Sequence, residues 1–236
     1  MLAGMLHGSG YHMGDRLLEP TPANPHGYFE SHDVNVLNDE LIASVVPVRP
    51  KMPLGCLFPW RLPSGLLWLA SVDRDVEIHP SAVQLARMRE LTSELPFCLK
   101  DPRFCNTVEA WRPVLKDVVF LCVFREPGRT AASMRQDVRD RPYRGFYLSR
   151  GRALRAWTSM YERVLHASGQ YGQWVFVHYD QILDGSAIAR IETAASAKVD
   201  TSSIDPSLKR SHDDPNRLPQ RTLEVYRRLC ELAGAS

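Results

Sequence analysis

The chain has 236 residues, 44% of them apolar and 24% charged, with a net charge of +2. That composition excludes collagen-like, coiled-coil and disordered chains, and the length suits one domain spanning 1–236. The near-neutral balance by itself selects no class of partner.

No run approaches the roughly 18 apolar residues that a membrane-spanning helix needs. Residues Met1–Leu6 lack the basic start and full apolar stretch of a secretion signal, so a cytoplasmic protein without a membrane span is expected. The five cysteines, Cys56, Cys98, Cys105, Cys122 and Cys230, are scattered with no C-x-x-C spacing. They read as free thiols in a reducing compartment, and no metal site is expected.

Met1 to Tyr11 reads as a helix ending at Gly10 or Gly14, with no capping residue before it. Glu19 to Gly27 is a Pro- and Asn-rich loop. Ser31 or Asp33 can cap a helix that carries Val34, Leu37, Leu41 and Val45 on one face. Four prolines make 47–63 irregular. Pro80 suits the first turn of a helix running to about Glu94. Phe97–Leu99 reads as a short strand, and Val108, Trp111 and Leu115 as a helical face.

Val118 to Phe124 is a continuous apolar run, the signature of a strand buried on both faces of a parallel sheet. A turn at Glu126-Pro-Gly128 and a helix from about Arg129 to Val138 follow. Then come a basic loop to Tyr147, a long amphipathic helix (Leu154, Trp157, Tyr161, Leu165) and a second buried strand, Gln173 to Tyr179. Ile188–Ala197 and Arg221–Ala233 read as helices flanking a polar loop, Ser202–Pro219. Strands alternating with helices predict an α/β fold with a parallel sheet.

Charge is unevenly spread. Residues 1–48 hold six acids and one base, Arg16, whereas 125–163 hold ten arginines against Glu126, Asp137, Asp140 and Glu162. That local excess suits a multiply charged anion, and equally a solvated arginine-rich face. The sharpest feature is Val118-Val-Phe-Leu-Cys-Val-Phe-Arg-Glu-Pro-Gly-Arg-Thr-Ala-Ala-Ser133. The strand delivers Arg125 to its C-terminal edge, where open parallel sheets bind ligands. Ser133 follows in the next helix. A guanidinium and a hydroxyl together can hold a phosphate. The alternative is that Arg125 pairs with Glu126 or Asp101 and Ser133 is a surface serine.

This strand–Arg–x7–Ser pattern resembles the 3′-phosphate-binding motif of sulfotransferases that use 3′-phosphoadenosine 5′-phosphosulfate. Gly14-Asp-Arg-Leu-Leu18, Asn24-Pro-His-Gly-Tyr-Phe-Glu30, Val36-Leu-Asn-Asp39, Leu99-Lys-Asp-Pro-Arg103, Val177-His-Tyr-Asp-Gln-Ile-Leu183 and Ile204-Asp-Pro-Ser-Leu-Lys-Arg-Ser211 resemble segments of the bacterial branch, in family order. The resemblance implies a three-layer sandwich around a central parallel sheet, similar to P-loop nucleoside-triphosphate hydrolases. It also implies sulfuryl transfer to a hydroxyl or amine of a glycan, lipid or small metabolite, leaving adenosine 3′,5′-bisphosphate.

The family opens with a strand and a Gly-, Ser- and Thr-rich loop that cradles the 5′-phosphosulfate. Met1–Leu6 resembles the helix just after it, so an N-terminally truncated domain is expected, through a misplaced start or through loss of half the donor site. A second copy of the chain is a candidate for covering the open sheet edge.

In such an enzyme Glu30 is the candidate base and His32 its runner-up. Glu30 is equally a first-turn helix carboxylate. Lys100 and Arg103 neutralise the sulfonate or position the acceptor, Lys100 with the catalytic group and Arg103 on the substrate. A structural ion-pair corner with Asp101 is the alternative. Arg125 and Ser133 hold the 3′-phosphate, and Lys209 and Arg210 close over it.

The missing loop favours a second reading, a catalytically impaired relative that binds adenosine 3′,5′-bisphosphate or a partner protein. A kinase-like transferase lacks its G-x-x-x-x-G-K-[ST] loop. No nucleic-acid motif accompanies the arginines, so no nucleic-acid partner is expected.

Overall fold

The computed structural model describes residues 1–236 other than 22–23, 25, 51–53, 59, 141–145, 205–216 and 236. Helix α1 (Leu2–Gly8) buries Leu2, Met5 and Leu6, which helical spacing puts on one face. Helix α2 (His32–Ala43) starts at Ser31, whose hydroxyl accepts the Val34 N–H. Asp33, the other candidate cap, pairs with Arg16 instead.

Helix α3 (Ala82–Leu91) is capped by Ser81, and Gln84 completes a capping box. Pro80 therefore precedes the cap rather than lying in the first turn, and the helix stops short of Glu94. Helix α4 (Phe104–Trp111) gives way to a tight turn, Arg112–Val114, where Pro113 offers no N–H, so Leu115 lies beyond it.

Strand β1 (Val119–Phe124) leads into helix α5 (Pro127–Asp140). The expected turn at Glu126-Pro-Gly128 is the start of this helix. Pro127 suits the first helical position, and the Glu126 carboxylate accepts from the N–H groups of Gly128 (2.8 Å) and Arg129 (2.6 Å). Helix α6 (Arg150–Ser168), capped by Ser149, returns the chain to strand β2 (Gln173–His178). Helices α7 (Tyr179–Leu183), α8 (Ile188–Ala195) and α9 (Gln220–Ala233) follow.

The two strands pair in parallel, from Val119 opposite Gln173 to Phe124 opposite His178. Phe97–Leu99 is not a strand. It joins His12 through one isolated bridge, in which His12 N–H donates to Pro96 and Cys98 N–H to His12, both at 2.8 Å. With Pro96 before it and Pro102 soon after, the segment has little room to extend that ladder.

Side chains of the sheet alternate between two cores. Leu121, Val123, Val175 and Val177 meet Leu2, Met5 and Leu6 of α1 and Ile191 of α8. Cys122, Phe124 and Phe176 meet Trp157 and Val164 of α6 and Val225 and Leu229 of α9. A third core gathers α2, α3 and α4 around Trp111, and a fourth joins the 62–72 segment to α5 and α6. The class is α/β, with a parallel two-stranded sheet among the described residues. No described helix is long and apolar enough to cross a membrane.

Candidate functional site

The parallel register carries Arg125 and Tyr179 to adjacent positions just past the C-terminal ends of β1 and β2. The Arg125 guanidinium lies over the Tyr179 ring, 4.8 Å from its centroid. Burial raises the Tyr179 hydroxyl above its ordinary pKa, and Arg125 pulls it back down.

Nε and Nη2 of Arg125 are buried and have no hydrogen-bond partner among the described residues. Glu126 does not serve them, because its two oxygens cap α5. Asp101 does not either, because it is held by Asn38 (2.9 Å) and Arg103 (3.0 Å). These two donors are left with capacity to bond a further acceptor. Ser133 is exposed on α5 and shares no hydrogen bond with Arg125. Lys209 and Arg210 lie outside the described residues.

A second constellation joins Glu30 to Lys100. Glu30 is buried. Its Oε1 accepts from Lys100 Nζ, and its Oε2 from Asn35 Nδ2 at 3.1 Å. Burial, and then the Lys100 charge, lower the pKa of the Met1 amine. His32 is exposed at the first residue of α2.

Phe29, just before Glu30, holds a φ of +52°, a strained value for a bulky side chain. Its ring sits on Gly4, where a Cβ would come within 3.0 Å, and tilts against His7 at 5.5 Å.

Arg103 is buried between Asp39 (2.6 Å) and Asp101 (3.0 Å). Asn38 extends this network, donating to Asp101 and accepting from Thr107 and Trp111 at 2.8 Å each. The fork of Arg103 is thus spent holding α2 to α4, which is the ion-pair corner weighed as its alternative role. Burial raises the pKa of both Asp39 and Asp101, against the opposing pull of Arg103.

Among the described residues His12, Asp15 and Glu94 form the one cluster with metal-ligand chemistry. His12 and Glu94 of this cluster line an open cleft of about 460 Å³. His12 meets Glu94 through Nδ1 (3.2 Å) and Asp15 through Nε2 (3.9 Å). Because the two carboxylates address opposite ring nitrogens, a surface ion-pair cluster accounts for the arrangement.

Sequence reasoning missed Tyr179, Asn35 and the strained Phe29. Tyr179 was legible in principle, as the residue ending the second apolar run just as Arg125 follows the first. Compared with protein-family models, curated proteins and solved structures, the chain matches none of them.

Proposed function

We propose that this chain is a cytoplasmic sulfotransferase-family protein with the three-layer architecture of that family. Its donor is 3′-phosphoadenosine 5′-phosphosulfate, and its acceptor is a hydroxyl or amine of a glycan, lipid or small metabolite. The observation that carries the reading is Arg125: a half-buried guanidinium past the C-terminal end of a parallel strand, whose Nε and Nη2 are buried without a hydrogen-bond partner among the described residues. A 3′-phosphate supplies the charge and the paired oxygens that such a fork requires. Tyr179 fixes the plane of the fork from one side.

In the reaction, the acceptor oxygen or nitrogen attacks sulfur and the bond from sulfur to the 5′-phosphate breaks. Adenosine 3′,5′-bisphosphate leaves, and the acceptor proton passes to Glu30. Lys100, already paired with Glu30, offsets the charge on the sulfonate.

Calorimetry with adenosine 3′,5′-bisphosphate tests the reading. Wild type binds it in preference to adenosine 5′-monophosphate, and Arg125→Ala weakens binding by about 2–5 kcal/mol. Equal affinities of wild type and variant, or no binding by wild type, overturn it.

A further inference from the structure

We propose that the groove that Val46, Pro47, Trp60 and Leu62 form with the start of α6 binds a small amphiphilic organic anion, with a carboxylate or sulfate head on an aliphatic or aromatic body. The groove measures about 210 Å³. Its walls include Trp60, Leu62, Leu69 and Leu148, and its cationic rim includes Arg152 and Arg155. Trp60 is 63% exposed, so a large aromatic wall stands open to a ligand.

Three observations select the charge of the occupant. Arg152 and Arg155 form no ion pair with any described carboxylate, and neither does Arg61 beside them, which is spent on the Phe58 ring at 4.7 Å. Arg152 is oriented by donating to the Trp60 carbonyl (3.0 Å) and by lying over Phe146 (4.9 Å). Burial, and then the neighbouring Arg155, lower the pKa of Arg152.

Both arginines also sit in the first two turns of α6, which has no acidic residue in its first turn. Cations at that end oppose the helix dipole. Two like charges at the unfavourable end of a helix, beside an apolar wall, are reconciled by an anion whose body covers Trp60. The dimensions admit a single small molecule rather than a bilayer surface.

The groove shares no lining residue with the Arg125 constellation, so its test needs no nucleotide, and failure of one reading leaves the other standing. Octanoate, octan-1-ol and acetate are titrated into the full chain by calorimetry. Octanoate binds saturably, and octan-1-ol and acetate, each lacking one half of the chemistry, bind at least about tenfold more weakly. Arg155→Gln and Trp60→Ala change exposed residues, so both variants fold, as circular dichroism will verify. Each weakens octanoate about tenfold, and added salt weakens wild-type binding. Unchanged affinity in both variants, an absence of saturable octanoate binding, or binding only to anionic phospholipid vesicles overturns the proposal.

Discussion

Glu30 and Lys100 stand 70 positions apart in the chain and form an ion pair, with the carboxylate buried and the ammonium half-exposed. The exposed half limits its worth through solvent screening, so Glu30→Gln lowers stability by about 1 kcal/mol or less. Glu30→Ala also strips the Asn35 amide of its acceptor and costs about 1–3 kcal/mol. Urea denaturation of both variants checks the order. If Glu30 is the base of the proposed transfer, Glu30→Gln lowers turnover about 10²–10⁴-fold. Nucleotide affinity stays unchanged in that variant, which separates a chemical role from a structural one.

Arg103→Met leaves Asp39 and Asp101 facing each other without their shared cation, at a cost of about 3–5 kcal/mol at pH 7. The pH dependence has a definite sign. Both carboxyls already titrate above their ordinary values, so the folded chain holds these protons more tightly than the unfolded chain. Their contribution therefore favours the folded state at low pH and is lost as pH rises through their folded pKa values. Removing Arg103 raises those values further. The penalty shrinks toward about pH 4, near the ordinary aspartate range, and denaturation curves at the two pH values will show it.

Burial pushes the Cys98 thiol up to about 11 and Cys105 to about 12, and it raises Cys122 well above its ordinary value. None carries appreciable thiolate at pH 8, and thiolate is the species that reacts. Iodoacetamide at pH 8 therefore leaves these three unlabelled in the native chain and labels them in urea. Peptide mass mapping reads the difference.

Gly14 holds a φ of +105°, and a Cβ there would come within 2.7 Å of the Ser31 side chain that caps α2. Gly14→Ala costs about 1–3 kcal/mol from strain and the displaced cap. Gly10 has a similar φ of +89° with open space around it, so Gly10→Ala bears the conformational strain alone. Thermal melts rank Gly14→Ala below Gly10→Ala.

Apolar runs and local capping chemistry made most elements readable in advance. The two strands follow from stretches of β-branched and aromatic residues, α2 from a serine ahead of a 3.6-residue apolar period, and α6 from its apolar period alone. Helix ends were off wherever a side chain took a cap that composition does not reveal, as Ser81 and Glu126 did. The placement of Arg125 after an apolar strand was legible for the same local reason.

Its isolation was not, because that depends on where Glu126, Asp101 and Arg103 spend their own hydrogen bonds, and those partners lie up to 64 positions apart. Periodicity and propensity act over a few residues, whereas the pairing of buried charges is set by packing between distant segments. That difference in range is why local sequence offers Lys100 both the catalytic group and a corner with Asp101, while the fold pairs it with Glu30.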